Sequence, residues 1–387
     1  MAIVKLGDIC EKIGSGATPR GGKESYCAVG VSLIRSQNVL DFSFSTNGLV
    51  FINNEQTRKL GSVEVQAGDI LLNITGDSVA RACEVDATFL PARVNQHVAI
   101  IRGNTNHVLN KYILYFLQWK KNYLLQLASA GATRSALTKG MIEQLEINLP
   151  TLENQRKVVE TLDSLQKKIN LNQKVNDNLL AQAQTLYKQF FPYSVQDDLP
   201  DGWRIGTVGE IIEIHDSKRI PLSGADRAKM EKKIYPYYGA ASLMDFVDNY
   251  IFDGKYLLLG EDGTVVDDAG YPILQYVWGQ FWVNNHAHIL TGRLGYDVES
   301  LYMLFKQTPV KSIVTGAVQP KISQANLRSI QVVIPPEYNL REYNDLVEPL
   351  FSLFRANEEE CKTLTALRDT LLPKLMSGEI DVSTVQL

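Results

Sequence analysis

Short polar runs follow apolar, strand-like segments at two places in the first third of the chain. Val31 to Ile34 leads into Arg35, Ser36, Gln37 and Asn38, and the apolar segment 68–76 leads into Asp77, Ser78 and Arg81. Arg pairs with guanine, and Gln or Asn with adenine, through two hydrogen bonds each, so recognition of base edges is one chemistry these runs support. The alternative is that they only end a strand.

The second half carries a basic stretch that runs into aromatic residues. Lys218, Arg219, Lys232 and Lys233 precede the segment 235–240, which contains Tyr237 and Tyr238. Cations hold phosphates and aromatic rings stack on bases, so this composition is typical of nucleic-acid contact. A solvated helix face remains the alternative for the basic part.

A catalytic or metal centre is not predicted. The Gly-rich segment 14–23 lacks the spacing of a phosphate-binding P-loop. A DNA methyltransferase needs a Gly-rich cofactor loop after a strand and an Asn/Asp-Pro-Pro motif. Neither motif occurs in this sequence. The five His residues are too scattered for a metal cluster.

One polar triplet occurs in both halves, as Asn95-Gln96-His97 and as Asn284-Asn285-His286. A recurring triplet favours a shared structural role through hydrogen bonds, and DNA contact is the alternative. Each triplet lies in a segment that predicts one strand, 94–101 and 283–290.

Two long helices are predicted from apolar residues that alternate at spacings of four and three, the period of a coiled-coil seam. The first seam is Val158, Leu162, Leu165, Ile169, Asn172, Asn176, Leu179, Ala183, Leu186 and Phe190. Each position recurs 185 residues later, as Tyr343, Val347, Leu350, Phe354, Asn357, Cys361, Leu364, Arg368, Leu371 and Leu375. Thr151 is the expected N-cap of the first helix, Asn339 with Glu342 the expected capping box of the second, and Gly378 its end.

The repeat extends upstream of both helices, so the chain is a tandem duplication of a globular unit followed by a long helix. The predicted fold class is α+β, with two β-rich domains and two helices that pair antiparallel. The predicted boundaries are 1–150 and 192–336 for the domains, 151–191 and 337–379 for the helices, and 380–387 for a tail.

Composition is that of a globular protein, with 45% hydrophobic and 21% charged residues. The net charge of −4 is uneven: residues 1–150 hold 15 Lys and Arg against 12 Asp and Glu, and residues 192–336 hold 13 against 17. Four Cys without a CxxC pair, the lack of a signal peptide and the lack of an apolar membrane span favour the cytoplasm.

The whole chain resembles the specificity subunit of Type I restriction–modification enzymes. The residues that carry the resemblance lie at 14–19, 68–76, 95–97, 149–150 with Gln155, 199–203, 235–240, 284–286 and 371–378. One departure is that Thr133-Arg134-Ser135 becomes Val318-Gln319-Pro320 in the second unit.

The resemblance implies a non-catalytic subunit that reads double-stranded DNA with two target-recognition domains. Its implied partners are two copies of a modification (methyltransferase) subunit and a restriction (motor and nuclease) subunit. S-adenosylmethionine, ATP and Mg²⁺ would bind those partners, and this chain would bind no cofactor, metal or membrane. A coiled-coil scaffold that binds only proteins is the rival interpretation.

The residues expected to contact DNA are polar or aromatic and lie in loops. In the first domain they are Thr18, Arg20, Lys23, Arg35, Ser36, Gln37, Asn38, Thr75, Asp77, Ser78, Arg81, Arg134 and Lys139. In the second domain they are Lys218, Arg219, Lys232, Lys233, Tyr237, Tyr238, Asp262, Asn285, His286, Gln319 and Lys321.

The helices are long enough to separate two half-sites on DNA. A seam of about 33 residues spans roughly 50 Å, more than the ~34–36 Å of one turn of B-DNA. Antiparallel pairing is expected to place the domains at opposite ends of the helices, and because the domains differ in their loops, the target is expected to be asymmetric and split by unread base pairs. The unread gap is expected to grow by roughly 2 bp when both helices gain about four residues.

Overall fold

The computed structural model describes residues 2–129, 136–316 and 318–383. By its internal contacts the chain divides into unit 1, residues 1–171 with 360–387, and unit 2, residues 172–359. Unit 1 therefore contains both ends of the chain.

In the described residues of the first half, the strands are short, and five short α-helices precede one long α-helix. The strands are β1 (Ala2–Lys5), β2 (Cys10–Ser15), β3 (Tyr26–Cys27), β4 (Val31–Ile34), β5 (Val50–Ile52), β6 (Glu64–Val65), β7 (Ile70–Asn73), β8 (Ala82–Glu84), β9 (Ala92–Val94), β10 (Val98–Gly103) and β11 (Glu146–Leu149). The helices are α1 (Leu6–Ile9), α2 (Asn54–Lys59), α3 (Asn110–Trp119), α4 (Lys121–Ser129), α5 (Lys139–Glu143) and α6 (Leu152–Phe190).

The second half repeats that order with fewer elements. The strands are β12 (Arg204–Thr207), β13 (Ile212–Ile214), β14 (Tyr235–Tyr238), β15 (Leu243–Val247), β16 (Phe252–Asp253), β17 (Tyr256–Gly260), β18 (Leu274–Val277), β19 (Gln280–Val283), β20 (Ala287–Gly292) and β21 (Gln331–Ile334). The helices are α7 (Val208–Ile211), α8 (Gly224–Ala228), α9 (Val298–Phe305), α10 (Gln324–Arg328) and α11 (Glu337–Ser377).

Sheet topology confirms the α+β class and the duplication. In unit 1 a four-stranded sheet has the order β2-β10-β7-β8, and in unit 2 its counterpart has the order β13-β20-β17-β18. A second, mixed sheet contains the parallel pair β4–β9 in unit 1 and β14–β19 in unit 2. The pairs β1–β11 and β12–β21 complete the match.

The middle strands β7 and β17 of the two four-stranded sheets carry continuous apolar runs, whose residues are buried on both faces of the sheet. In unit 1, Ile70 and Leu72 of β7 pack with the helices, whereas Leu71 packs with the mixed sheet. In unit 2, Leu257 and Leu259 pack with the helices and Leu258 with the mixed sheet. Successive residues of a strand point to opposite faces, so one apolar run builds two cores.

Within each unit, several predicted seam residues lie in a buried cluster shared by α6 and α11, together with Tyr187, Phe351 and Leu372, which the spacing did not assign to the seam. In unit 1, Val158 and Leu162 of α6 share a buried cluster with Leu372 and Leu375 of α11. In unit 2, Ala183 and Tyr187 of α6 share one with Tyr343, Val347 and Phe351 of α11. In both cases residues near the start of one helix lie with residues near the end of the other, so the pairing is antiparallel.

The middle of the seam is polar, and the hydrogen bond found there does not join repeat-equivalent positions. The Asn357 amide nitrogen donates to the Asn176 side-chain oxygen (2.9 Å), and Asn176 donates to Glu358 (2.8 Å). Asn172, the repeat equivalent of Asn357, is also buried. In an antiparallel pair the residue numbers run in opposite directions along the two helices, so positions that are equivalent in the repeat generally do not lie opposite each other.

Three local predictions were wrong. The segments 94–101 and 283–290 are each two strands joined by a turn, with Asn95 to His97 and Asn284 to His286 in the turn. The capping box at Asn339 does not form, because α11 begins at Glu337.

None of the helices in the described part of the chain is long and apolar enough to cross a membrane.

Candidate nucleic-acid interface

Three loops and one extended segment meet at one edge of unit 1. The Asn95 N–H donates to the Ile34 carbonyl at the end of β4 (3.0 Å). The Ile74 N–H, just after β7, donates to the His97 carbonyl (3.0 Å), and the Leu137 N–H donates to the Ile74 carbonyl (2.8 Å). The polar runs after β4, after β7 and between β9 and β10 therefore lie side by side.

Unit 2 has the same backbone frame. The Asn284 N–H donates to the Tyr238 carbonyl (3.0 Å), the Glu261 N–H to the His286 carbonyl (2.8 Å), and the Ile322 N–H to the Glu261 carbonyl (2.8 Å). We call this edge of each unit its loop edge: the ends of β4 and β7 with the turn 95–97 in unit 1, and the ends of β14 and β17 with the turn 284–286 in unit 2.

The recurring triplet builds that frame through its first residue. The Asn95 side-chain oxygen accepts the His97 N–H (3.1 Å), and the Asn284 oxygen accepts the His286 N–H (2.8 Å). Both Asn side chains are buried. An Asn that bonds to the backbone two residues on is a standard turn former, so the Asn has the structural role that the repeat favoured.

The third residue of the triplet faces a different partner in each unit. His97 Nδ1 lies 2.6 Å from the Thr75 hydroxyl, whereas His286 Nδ1 is hydrogen-bonded to the Asp262 carboxylate. A carboxylate can only accept a hydrogen bond, so Nδ1 of His286 is the donor to Asp262. A hydroxyl can donate or accept, so His97 can adopt either tautomer beside Thr75. One backbone frame thus carries two different polar surfaces.

Comparison with known proteins decides the family. The sequence profile of the Type I restriction modification DNA specificity domain matches residues 1–181 and 200–365. The chain belongs to this family. Its two specificity domains follow one another in tandem and correspond to the two halves of the duplication.

Two curated proteins and one solved structure are similar to this chain along most of its length. The specificity subunit of the Type I restriction enzyme MjaIX of Methanocaldococcus jannaschii is 23% identical over 309 residues, covering 71% of this chain and 70% of that protein. A putative specificity subunit of the enzyme MjaX, from the same organism, is 20% identical and covers 98% and 93% of the two chains. The crystal structure of an S subunit from M. genitalium has the same fold, with a TM-score of 0.59 at 16% identity over 97% of this chain and 96% of that one.

Most residues predicted to contact DNA in the first specificity domain are accessible. Those that are exposed or half-buried are Thr18, Arg20, Arg35, Ser36, Gln37, Thr75, Asp77, Ser78, Arg81 and Lys139. The side chain of Lys23 and all of Arg134 lie outside the described residues.

Asn38 is a correction. Its side chain is fully buried, donates to the Ser45 and Asn47 carbonyls (2.9 and 3.1 Å) and accepts the Arg35 N–H (3.0 Å). It shapes the loop after β4 and offers no surface to DNA in this conformation. Arg35 itself donates to the Gly48 carbonyl and lies over the Tyr26 ring.

The second specificity domain requires two further corrections. Tyr237 is 1% exposed, with its hydroxyl against Leu222 and its ring under the Arg227 guanidinium. Arg219 is held inside the domain and does not project from it. The accessible members of the predicted set are Lys218, Lys232, Lys233, Tyr238, Asp262, Asn285, His286, Gln319 and Lys321.

Arg219 lies in a buried ionic cluster directly behind the loop edge of unit 2. One guanidinium nitrogen donates to Glu261 (2.5 Å), to the Ala287 carbonyl (2.8 Å) and to the Asn285 carbonyl (3.3 Å). The other lies 3.3 Å from Asp216. The side chain therefore connects the turn 284–286 to the carboxylates beneath it.

His288 completes this cluster. Its Nδ1 lies 2.6 Å from the Asp216 carboxylate and its Nε2 lies 2.8 Å from the Ile322 carbonyl, so both ring nitrogens face hydrogen-bond acceptors. Burial raises the pKa of Asp216, but the hydrogen bond and charge of His288 outweigh it and hold that pKa below its ordinary value. Burial likewise raises the pKa of Glu261, but the hydrogen bond with Arg219 lowers it, and the resulting pKa lies below the ordinary value.

The side chains of this cluster are of the kind that ligate metal ions, but cations of the protein already neutralise its carboxylates. Ligating atoms of Asp216, Glu261 and His288 all lie within 4.8 Å of one another. Arg219 and Lys321, whose ammonium lies 3.1 Å from Glu261, supply cations at the same carboxylates. We assign the cluster to internal support of the loop edge.

Replacing Asn95 or Asn284 with alanine is expected to lower the free energy of unfolding by about 1–2 kcal/mol, because the N–H two residues on loses its acceptor. Chemical denaturation would measure the loss. The matched control is Gln96→Ala, an exposed neighbour, for which we expect a change within about 0.5 kcal/mol. Equal losses for Asn95 and Gln96 would contradict the structural assignment.

Proposed function

We propose that this chain is the DNA-specificity subunit of a Type I restriction–modification enzyme, in which each unit reads one half of a bipartite, asymmetric DNA site. The observation that carries the proposal is the loop edge, which repeats its backbone hydrogen bonds in both units but presents different side chains. A repeated frame with unequal chemistry suits two readers of unequal sequences. It does not suit a symmetric target or a purely mechanical repeat.

The chain supplies recognition and not catalysis in this proposal. Modification subunits, two per complex, would transfer the methyl group from S-adenosylmethionine, and a restriction subunit would use ATP and Mg²⁺ for translocation and cleavage. The complex would act in the cytoplasm. Support comes from the family and from loop edges built of hydrogen-bonding and basic side chains.

The distribution of charge between the two units bears on whether the chain can bind DNA tightly without its partners. Unit 1 holds 22 Lys and Arg against 19 Asp and Glu, and unit 2 holds 17 against 24. Several unit 2 cations, among them Arg219, Arg227 and Lys233, lie in ion pairs with its own carboxylates. Because phosphate neutralisation dominates DNA affinity, we expect the acidic unit 2 to depend on cationic partner subunits.

The test is co-expression with a modification subunit in a host that lacks other adenine methylation, followed by mapping of N6-methyladenine. We expect one split motif whose two halves differ. The rival scaffold interpretation predicts no motif. It also predicts that DNA binding by the assembled complex shows no steep dependence on salt or sequence.

The spacing role of the helices gives a separate prediction. Seven residues inserted in each helix, between Ile169 and Asn176 and between Asn357 and Cys361, keep the heptad phase of both seams. Seven residues add about 10.5 Å of helix, so we expect the unread gap to grow by up to about 3 bp while both half-sites stay the same. An unchanged gap in the mapped motif would show that the helices do not set it.

A further inference from the structure

Two large apolar side chains are exposed at the loop edge of unit 2. Leu243 and Met244 open strand β15 and are 43% and 54% exposed. They follow a tight turn in which the Gly239 N–H donates to the Ser242 carbonyl (2.9 Å). Neither belongs to the buried apolar clusters of the described part of unit 2.

The side chain of Met244 lies directly beside the polar turn. Its sulfur is 3.3 Å from the Asn284 amide nitrogen. A Cβ on Gly239 would lie only 2.4 Å from that sulfur, so the absence of a side chain at Gly239 is what lets Met244 occupy this position. An apolar surface thus adjoins Asn285 and His286, which the same turn exposes.

In unit 1 the residues that follow the corresponding strand have different chemistry. Ile34 and Tyr238 are equivalent, because each accepts the N–H of the turn asparagine at the end of its strand. After Ile34 the chain continues with Arg35 and Gln37, and Gln37 is exposed, with its amide donating to the Asn47 carbonyl (3.1 Å). After Tyr238 the chain instead turns through residues 239–242 into β15, where Leu243 pairs with Tyr238, so a tight turn and two exposed apolar side chains follow β14 in unit 2.

Base edges offer one apolar partner for such a surface. In the major groove the 5-methyl group of thymine is the apolar feature, and aliphatic side chains contact it. Burying these side chains and that methyl group together removes apolar surface from water on both molecules. Arg35 and Gln37 suit the hydrogen-bonding edges of guanine and adenine instead.

We propose that Leu243 and Met244 are specificity-determining residues that contact the methyl group of thymine in the half-site read by unit 2. The inference rests on the proposed function and deepens it. It assigns thymine to the second half-site on chemical grounds.

The test uses the complete complex of this chain with its modification subunits, bound to a duplex that carries the mapped site. Each thymine on either strand is replaced in turn by deoxyuridine, which removes only the methyl group. We expect the wild-type complex to lose about fourfold in affinity at one or two positions of the second half-site, the ratio that corresponds to burial of one methyl group. The double variant Leu243→Ala with Met244→Ala should bind thymine and deoxyuridine duplexes equally at those positions.

Matched controls separate this contact from general damage. Ile205→Ala removes a comparably exposed side chain, 48% exposed, from β12 in a different sheet, and should keep the deoxyuridine effect. Deoxyuridine effects in the first half-site should be the same in wild type and in the double variant.

Three results would overturn the inference while leaving the proposed function intact: a second half-site without thymine, a wild-type complex indifferent to deoxyuridine there, or a double variant that keeps the wild-type effect. A complex that does not distinguish the mapped site from a scrambled duplex would instead remove the proposed function, and this inference with it.

Discussion

Replacing Arg219 with alanine is expected to lower the free energy of unfolding by about 3–5 kcal/mol, the cost typical of removing one partner from a buried ion pair. The guanidinium is the cation nearest to Glu261 and also lies against Asp216, and its side chain is 13% exposed. Removing it leaves two carboxylates facing each other with less compensation. Chemical denaturation of the purified chain measures the loss.

The same substitution should weaken one half of DNA recognition. Arg219 donates to the carbonyls of Asn285 and Ala287, so it fixes the turn that exposes His286. We expect methylation at sites with changes in the second half-site to become more frequent, while discrimination in the first half-site stays the same. Mapping of N6-methyladenine in cells with the variant provides this measurement.

Acidification should reduce the difference between wild type and this variant. The pKa values of Asp216 and Glu261 are depressed in the folded protein, so their contribution to stability is complete above the ordinary carboxylate pKa and is lost as the pH falls through the folded-state values. Arg219 is one cause of each depression. We therefore expect the full difference near pH 7 and a smaller one below about pH 4.

Two controls test the assignment of Arg219. Arg219→Lys keeps the charge but loses the planar fork that reaches several acceptors, so an intermediate loss is expected. Lys218→Ala changes an exposed neighbour and should alter stability by about 0.5 kcal/mol at most. If Arg219→Ala and Lys218→Ala were equally mild, Arg219 would not support the loop edge.

Arg355→Ala is the second substitution with a large expected effect, again about 3–5 kcal/mol. Arg355 lies on α11 and donates to Glu299 (3.1 Å), whose side chain is fully buried. Tyr276 also donates to Glu299 (2.6 Å), and the Lys255 ammonium lies 2.7 Å from it. The guanidinium thus ties α11 to a buried carboxylate of unit 2.

Its measurable signature is local as well as global. With Arg355 gone, Lys255 alone compensates Glu299, so the contact that joins α11 to α9 weakens. We expect faster hydrogen exchange in residues 343–357 of α11 together with the loss in unfolding free energy. The control is Glu348→Gln, which changes a half-exposed partner of the same Arg355 and should cost at most about 1 kcal/mol.

A similar contact in unit 1 shows how the duplicated scaffold tolerates different chemistry. Asp163 of α6 and Glu348 of α11 are 185 residues apart and occupy the same repeat position. Asp163 accepts from Lys111 (2.6 Å) and Tyr115 (2.7 Å) of α3 in unit 1, whereas Glu348 pairs with Lys255 and Arg355 in unit 2. The helix-to-domain ion pair is kept, and its partners have changed.

The duplication, the two helices and most of their buried seam are predictable from the amino-acid sequence alone. These features depend on local periodicity: a spacing of four and three places side chains on one face of a helix whatever surrounds it. The polar runs after β4 and β7 were also visible, since strands and the turns that follow them have short-range signatures.

Which of the candidate side chains face outward depends on contacts between distant parts of the chain. Arg219 meets Glu261 and Ala287, 42 and 68 residues along the chain, and no local pattern signals such partners. Tyr237 and Asn38 were wrongly predicted to contact DNA for the same reason, because burial depends on what packs above a residue. Leu243 and Met244 were missed because exposed apolar residues look like core until the neighbouring turn is placed beside them.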